Sequence, residues 1–212
     1  NQLKIELDGM VREQDNIKTL FHCWGSKPIM DGNTIKGVVF DSKEGRKCIY
    51  AKVVIDATGD GDIYSKTGAP FDDRRIPELD VGRTALVWRM GGVDFEAYQE
   101  WVKKNPELNG RFLKGMAEVA GYPTMFFTDS RNDVVWVNNW LPDKCCIDIN
   151  DQTESEYLVR GTIRKLIKYI SRTLPFAFRD AYLYDIAPQL GARSGRRLIG
   201  EHVMTMLDFA TQ

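Results

Sequence analysis

Ala51-Lys52-Val53-Val54-Ile55-Asp56-Ala57-Thr58-Gly59-Asp60-Gly61-Asp62 is a β-branched apolar run that stops abruptly in glycine and aspartate. Val53 to Ile55 reads as a buried strand. The glycine half reads as a turn at its carboxyl end, where missing Cβ atoms let backbone approach a ligand. In open α/β sheets, ligands collect just outside the carboxyl ends of the strands. No Gly-x-Gly-x-x-Gly follows a strand anywhere in the 212 residues. The phosphate-cradling half of a dinucleotide site is therefore missing from the pattern.

The turn carries carboxylates rather than cations. Asp60 and Asp62, with Asp56 nearby, repel phosphate but suit hydroxyl groups, because an ionised carboxylate only accepts hydrogen bonds. A ribose or ribityl chain fits better than a pyrophosphate. A calcium loop starting at Asp60 would place Tyr64 at its fifth position and Phe71 at its twelfth, where that motif needs oxygen ligands. The competing structural reading is a tight turn in which Asp60 or Asp62 caps a short helix.

Further along stands Gly191-Ala192-Arg193-Ser194-Gly195-Arg196-Arg197-Leu198-Ile199-Gly200-Glu201. If extended, it puts Arg193 and Arg197 on one face and Arg196 on the other. Fixed guanidinium groups suit phosphates, carboxylates or an anionic reduced cofactor, and equally suit salt bridges. Trp136, Trp140, Tyr157, Phe176, Phe178, Tyr182 and Tyr184 are expected to form core or an inter-domain seam.

With 43% hydrophobic and 28% charged residues, the chain is no disordered or fibrous sequence. A net charge of −1, with basic residues spread out except at Arg193, Arg196 and Arg197, gives no case for nucleic acid. Cys23, Cys48, Cys145 and Cys146 have no metal-site spacing and read as free thiols of a reducing, cytoplasmic setting. No metal is expected. His22, in an apolar run, reads as a packing residue. No apolar run approaches the ~18 residues of a membrane span. The first residue is not Met, and both ends read as cut from a longer chain.

Periodicity places an amphipathic helix over Leu3 to Val11 and strands over Ile17–Trp24, Ser26–Met30, Ile35–Phe40, Cys48–Tyr50 and Val53–Ile55, a β-meander feeding a last buried strand. A loop is expected from Asp72 to Asp80 and a strand over Thr84–Met90. Helices follow over Phe95–Lys104 and Leu108–Val119, then strands over Met125–Phe127 and Val134–Trp140. The longest helix is expected from Asp151 to Leu174, with Asp151 as cap and Glu154 completing a capping box. Pro175 ends it.

Gly37-Val38-Val39-Phe40, Ala51 to Asp62 and Gly68-Ala69-Pro70-Phe71 together resemble the FAD-dependent oxidoreductases of the glutathione-reductase structural superfamily. Arg89-Met90-Gly91-Gly92-Val93-Asp94 is similar to that family's entry to its substrate domain. Gly191 to Thr205 is similar to its Gly-x-Arg-x-x-Arg-Arg-x-x-Gly-Glu segment. Lys66-Thr67 and Gly195 depart from the usual residues. The resemblance covers roughly residues 1–72, 84–95 and 183–208, and the amino-terminal glycine fingerprint is outside the sequence.

The resemblance implies an α/β class: a mixed α+β fragment holding part of a FAD-binding Rossmann-like domain and a substrate or cap region. Residues 1–72 would be the partial flavin domain, 73–182 the substrate region and 183–212 a return segment. FAD is implied for the parent protein, weakly held or absent in these 212 residues. Ala57, Thr58, Gly59, Asp60, Gly61 and Asp62 would line its nucleotide or ribityl side, with Arg193 and Arg197 near the flavin or an acidic substrate group. The implied chemistry is hydride transfer between flavin and a small-molecule substrate, with no acid or base assignable. A monooxygenase or halogenase, and a non-enzymatic piece without its own cofactor, stay open.

Overall fold

The computed structural model describes residues 2–73, 84–193, 195–202 and 204–210. Most of the loop expected at Asp72–Asp80 lies outside them. The fold is mixed α/β. It divides into two compact units, one of Asn1–Pro70 with Gly200–Gln212 and one of Phe71–Ile199.

In the first unit, α1 (Gln2–Arg12) has the expected apolar stripe, yet none of its residues is buried. Leu3 is 71% exposed and Met10 61%. The following run, Ile17 to Cys23, is no strand. His22 sits at φ 57, which breaks an extended chain. It is also exposed, so it is not the packing residue expected. The meander is β1 (Trp24–Asp31), β2 (Thr34–Ser42) and β3 (Gly45–Tyr50), antiparallel in the order β1-β2-β3. Pro28 has no N–H for a ladder and accordingly lies in the edge strand β1.

The buried strand expected at Val53–Ile55 does not form. Val53 is 76% and Ile55 86% exposed, and no described strand runs alongside to take their backbone hydrogen bonds. A β-branched run is strand-prone only where a neighbour offers a ladder and a surface to pack on. A single 3-10 turn, Tyr64–Lys66, follows.

The second unit holds the core. Strand β4 (Phe71–Asp72) leads to β5 (Thr84–Ala85) and β6 (Trp88–Gly91). Helices α2 (Phe95–Lys104) and α3 (Pro106–Ala120) follow, then β7 (Thr124–Thr128) and β8 (Val134–Asn139). The long α4 (Ile149–Thr173) is stopped by Pro175, the first residue of the short α5 (Pro175–Phe178). Strand β9 (Tyr182–Ile186) completes an antiparallel sheet of order β7-β8-β6-β9. Finally β10 (Gly191–Ala192) pairs with β5, and β11 (Arg197–Leu198) with β4. A last helix, α6 (Met206–Ala210), belongs to the first unit.

Strand alternation turns Trp88, Met90, Val135 and Val137 of the sheet inward, all at most 1% exposed. They meet Phe112 and Met116 of α3 and Val159, Ile163, Leu166 and Ile170 of α4. Each fully buried aliphatic or aromatic side chain of this kind contributes about 1.5–3 kcal/mol. The buried Asn139 amide replaces a missing strand: it accepts from Leu86 N at 3.1 Å and donates to Leu86 O at 2.6 Å.

Two expectations about this unit are corrected. The cap of α4 is Asp148, whose carboxylate accepts from the amides of Asn150 and Asp151. Asp151 lies inside the first turn and instead accepts from Cys145 N at 2.8 Å. Of the seven aromatics expected to form core or an inter-domain seam, only Phe178 is in the core. Trp136, Tyr157, Phe176, Tyr182 and Tyr184 are 39–73% exposed and Trp140 is partly buried. Neighbours of inward-facing residues on a strand point outward, so Val135 and Val137 leave Trp136 on the open face.

Candidate functional site

The turn after Ile55 is organised by Asp56. Its Oδ1 accepts from the Thr58 amide at 3.0 Å and the Thr58 hydroxyl at 2.7 Å. Its Oδ2 accepts from the amides of Ile63 at 3.2 Å and Tyr64 at 2.9 Å. The Thr58 hydroxyl in turn accepts from Asp62 N at 2.9 Å. Partial burial raises the Asp56 pKa, but the amide of Tyr64, the Thr58 hydroxyl and the Thr58 and Ile63 amides outweigh it, and the carboxyl titrates below its ordinary value.

This corrects the expected cap. Ile63 occupies the cap position of the 3-10 turn without a side-chain cap, and Asp56 rather than Asp60 or Asp62 satisfies the first amides there. Thr58's hydroxyl is engaged within the turn on both sides. Gly59 at φ 87 and Gly61 at φ 67 adopt backbone that side chains disfavour. They face different surroundings. A Cβ on Gly61 would come within 2.2 Å of the Tyr64 ring, whereas one on Gly59 meets no heavy atom within 4 Å. The Gly59 side of the loop is thus open to close approach.

The arginine segment is not one strand. Ala192 pairs with Thr84, and Arg197 pairs with Asp72 in a separate ladder, Ser194 between them lying outside the described residues. Arg197 Nη2 lies 3.2 Å from Asp72 Oδ2. Arg193 is exposed, with its guanidinium carbon 6.0 Å from the Trp140 ring centre. The Trp140 indole N–H, itself buried, has no hydrogen-bond partner among the described residues.

A third constellation, not anticipated in the sequence, occupies the open face of the four-stranded sheet. Arg89 faces Trp136 on β8 and Asp185 on β9 across the ladders. Its guanidinium carbon sits 5.0 Å from the Trp136 ring and 4.8 Å from that of Tyr184, within cation–π range. Its Nε donates to Asp185 at 2.9 Å, and Asp129 lies 3.6 Å away. The hydrogen bond to Asp185 raises the arginine's pKa, and the same contact lowers that of Asp185. For Asp129, burial raises the pKa, but Ser130, the Trp136 indole N–H and Arg89 bring it below the ordinary value. Two carboxylates and one cation leave this face with a formal surplus of one negative charge. Only the alternation of β8 and the pairing of β6 with β9, distant in sequence, bring the five residues together.

No group of three or more His, Cys, Asp or Glu among the described residues is arranged to hold a metal. None of the four cysteines is in a disulfide among the described residues. No helix among the described residues is long and apolar enough to cross a membrane.

A family model described as FAD dependent oxidoreductase matches residues 1–212. The chain belongs to the FAD-dependent oxidoreductases. Among curated proteins none matches this FAD-dependent oxidoreductase chain. It is similar to a solved flavin-dependent brominase, Bmp2, studied as a triple mutant, at 13% identity and a TM-score of 0.48. That alignment covers 89% of this chain and 43% of the brominase chain, so the chain spans less than half of that structure's length.

Proposed function

We propose that this chain is the part of a flavin-dependent oxidoreductase that borders the flavin and its substrate, in a parent of the glutathione-reductase type. The family match over residues 1–212 carries this reading. When bound, FAD would supply hydride acceptance or donation toward a small-molecule substrate; the protein's share is position and electrostatics.

The turn fits such a group. Ala57, Thr58, Gly59, Asp60, Gly61 and Asp62 would hold the nucleotide or ribityl side. Support comes from the open approach at Gly59 and from carboxylates that accept from hydroxyl groups. Asp56 keeps this backbone in place through four hydrogen bonds and is a positioning residue. Arg193 and Arg197 would favour negative charge near the ring or on the substrate. An orphaned donor beside Arg193, the Trp140 indole, suits an acceptor atom there. Residues 1–72 would belong to the flavin domain, 73–182 to the substrate region and 183–212 to the return toward the flavin.

The test uses the full-length parent. It should purify with a flavin absorbance spectrum, bleach under anaerobic substrate, and lose flavin affinity when Asp60 and Asp62 become alanine. In Arg193→Met a fall of about 30 mV in midpoint potential, equivalent to about 1.4 kcal/mol for two electrons, would place that cation at the ring. A raised KM with unchanged potential would place it at the substrate. A colourless protein that takes up no flavin would overturn the reading. The 212 residues alone should bind FAD weakly, since their sequence has no phosphate-binding fingerprint; submicromolar binding, followed by flavin fluorescence, would contradict this.

A further inference from the structure

Five cations line a surface groove centred on Tyr169, part of it on α3 and part on α4. Arg111 and Lys114 project from α3; Lys165, Lys168 and Arg172 from the carboxyl half of α4. The groove has two depressions that share Tyr169. One, of about 420 Å³, is lined by Arg111, Lys114, Gly115, Glu118 and Val119; the other, of about 300 Å³, by Lys165, Lys168, Arg172 and Thr173. Tyr169 is held in place: its ring stacks on Phe112 at 5.9 Å and its hydroxyl fits over Gly115, where a Cβ would come within 2.0 Å.

All five cations are exposed, and none is ion-paired among the described residues, whereas Arg160 of the same helix is paired with Glu156. The helix dipole accounts for a cation in the last turn of α4, such as Arg172. It does not account for Arg111 and Lys114 on the neighbouring helix. A surface that gathers unpaired like charge pays a self-repulsion that an anionic occupant relieves.

We propose that this groove docks an acidic segment of a partner protein. Both depressions are open to solvent and flank a tyrosine, which suits side chains of an extended or helical segment better than an enclosed small molecule. Glu118 within the groove opposes a phosphate backbone but can accept from a peptide N–H. The charge of the whole chain, −1, also disfavours nucleic acid at long range. Complementarity of this kind governs encounter rate and orientation more than affinity, as a transient partner requires.

The test titrates fluorescein-labelled octaglutamate into the chain and follows anisotropy. The expected result is saturable, salt-sensitive binding that weakens about tenfold in Lys114→Glu/Lys168→Glu and stays within about twofold in the control Lys4→Glu/Lys18→Glu, which makes the same charge change on exposed residues elsewhere. Lysine methyl signals of the reductively methylated wild type should move at Lys114, Lys165 and Lys168; this measurement decides the matter if the double variant loses its helical circular dichroism. No peptide binding, equal binding by all three proteins, or signal changes confined to other lysines would overturn the proposal. So would tighter binding of a DNA duplex or of phosphatidylserine vesicles than of the peptide.

Discussion

The carboxylate of Asp56 accepts a hydrogen bond from the backbone amide of Tyr64 at 2.9 Å, joining the end of the Val53–Ile55 run to the start of the 3-10 turn. With three further hydrogen bonds to the same carboxylate, this contact sets the shape of the loop that carries Gly59, Asp60, Gly61 and Asp62. A side chain upstream of the glycines therefore decides which way their backbone faces.

Asp56→Asn keeps an acceptor but removes the charge, and should cost about 1–2 kcal/mol; Asp56→Ala strands several amides and should cost more, about 2–3 kcal/mol. Amide hydrogen exchange at Ile63 and Tyr64 should speed up in both before global unfolding changes. If those two amides keep wild-type protection in Asp56→Ala, the carboxylate does not close the turn.

The two glycines separate strain from crowding. Gly59→Ala meets only the penalty of positive φ, about 1 kcal/mol. Gly61→Ala adds a collision with the Tyr64 ring and should be the more costly change. Replacing Tyr64 by alanine in the Gly61→Ala background should bring the two close together. Urea unfolding of the four proteins gives the comparison, and equal costs for the two single variants would contradict it.

Arg89→Met should destabilise by about 1–3 kcal/mol at neutral pH, because it leaves Asp129 and Asp185 facing each other without their cation. The pH dependence follows from the sign of the shifts. Both carboxyls titrate below their ordinary value when folded, so the stability they contribute is fully present above about pH 4 and is lost as pH falls through the folded pKa values. The deficit of the variant should accordingly be largest near neutrality and shrink in acid. Thermal melts from neutral pH downward test this; a deficit that does not change with pH would mean the arginine acts only through its packing between Trp136 and Tyr184.

At the start of α4, Asp148→Ala should cost about 1 kcal/mol and deprotect the amides of Asn150 and Asp151. Asp151→Ala should leave those two amides protected and loosen Cys145 instead. Exchange rates at Asn150 in the two variants distinguish the cap directly.

The periodicity of the core helices was legible, whereas the stripe of α1 buries no residue and α5 and α6 had no periodic signal that announced them. Phe95–Lys104 matches α2 in both bounds, and the stripe from Val159 to Ile170 faces the core as its spacing requires. Local stops were legible too: Pro175 and the Asp31-Gly32-Asn33 turn act through their own backbone restrictions. The cap at Asp148 was missed because both it and Asp151 are good capping residues, and only the chain path from Cys145 chooses between them.

What the sequence by itself determined is whatever rests on one residue's neighbours within a few positions: the helical faces, the turns, the glycine-rich loop and, through its motifs, membership of the FAD-dependent oxidoreductases. What the tertiary structure decided is whatever needs a partner far along the chain. Val53–Ile55 has strand chemistry but no described strand beside it, so it stays exposed. Trp136 and Tyr184 have core chemistry but lie on the open face, where Arg89 joins them only because β6 pairs with both β8 and β9. The physical reason is that a ladder, a packed face or a charge cluster is an interaction between segments, and local composition carries no information about which segments meet.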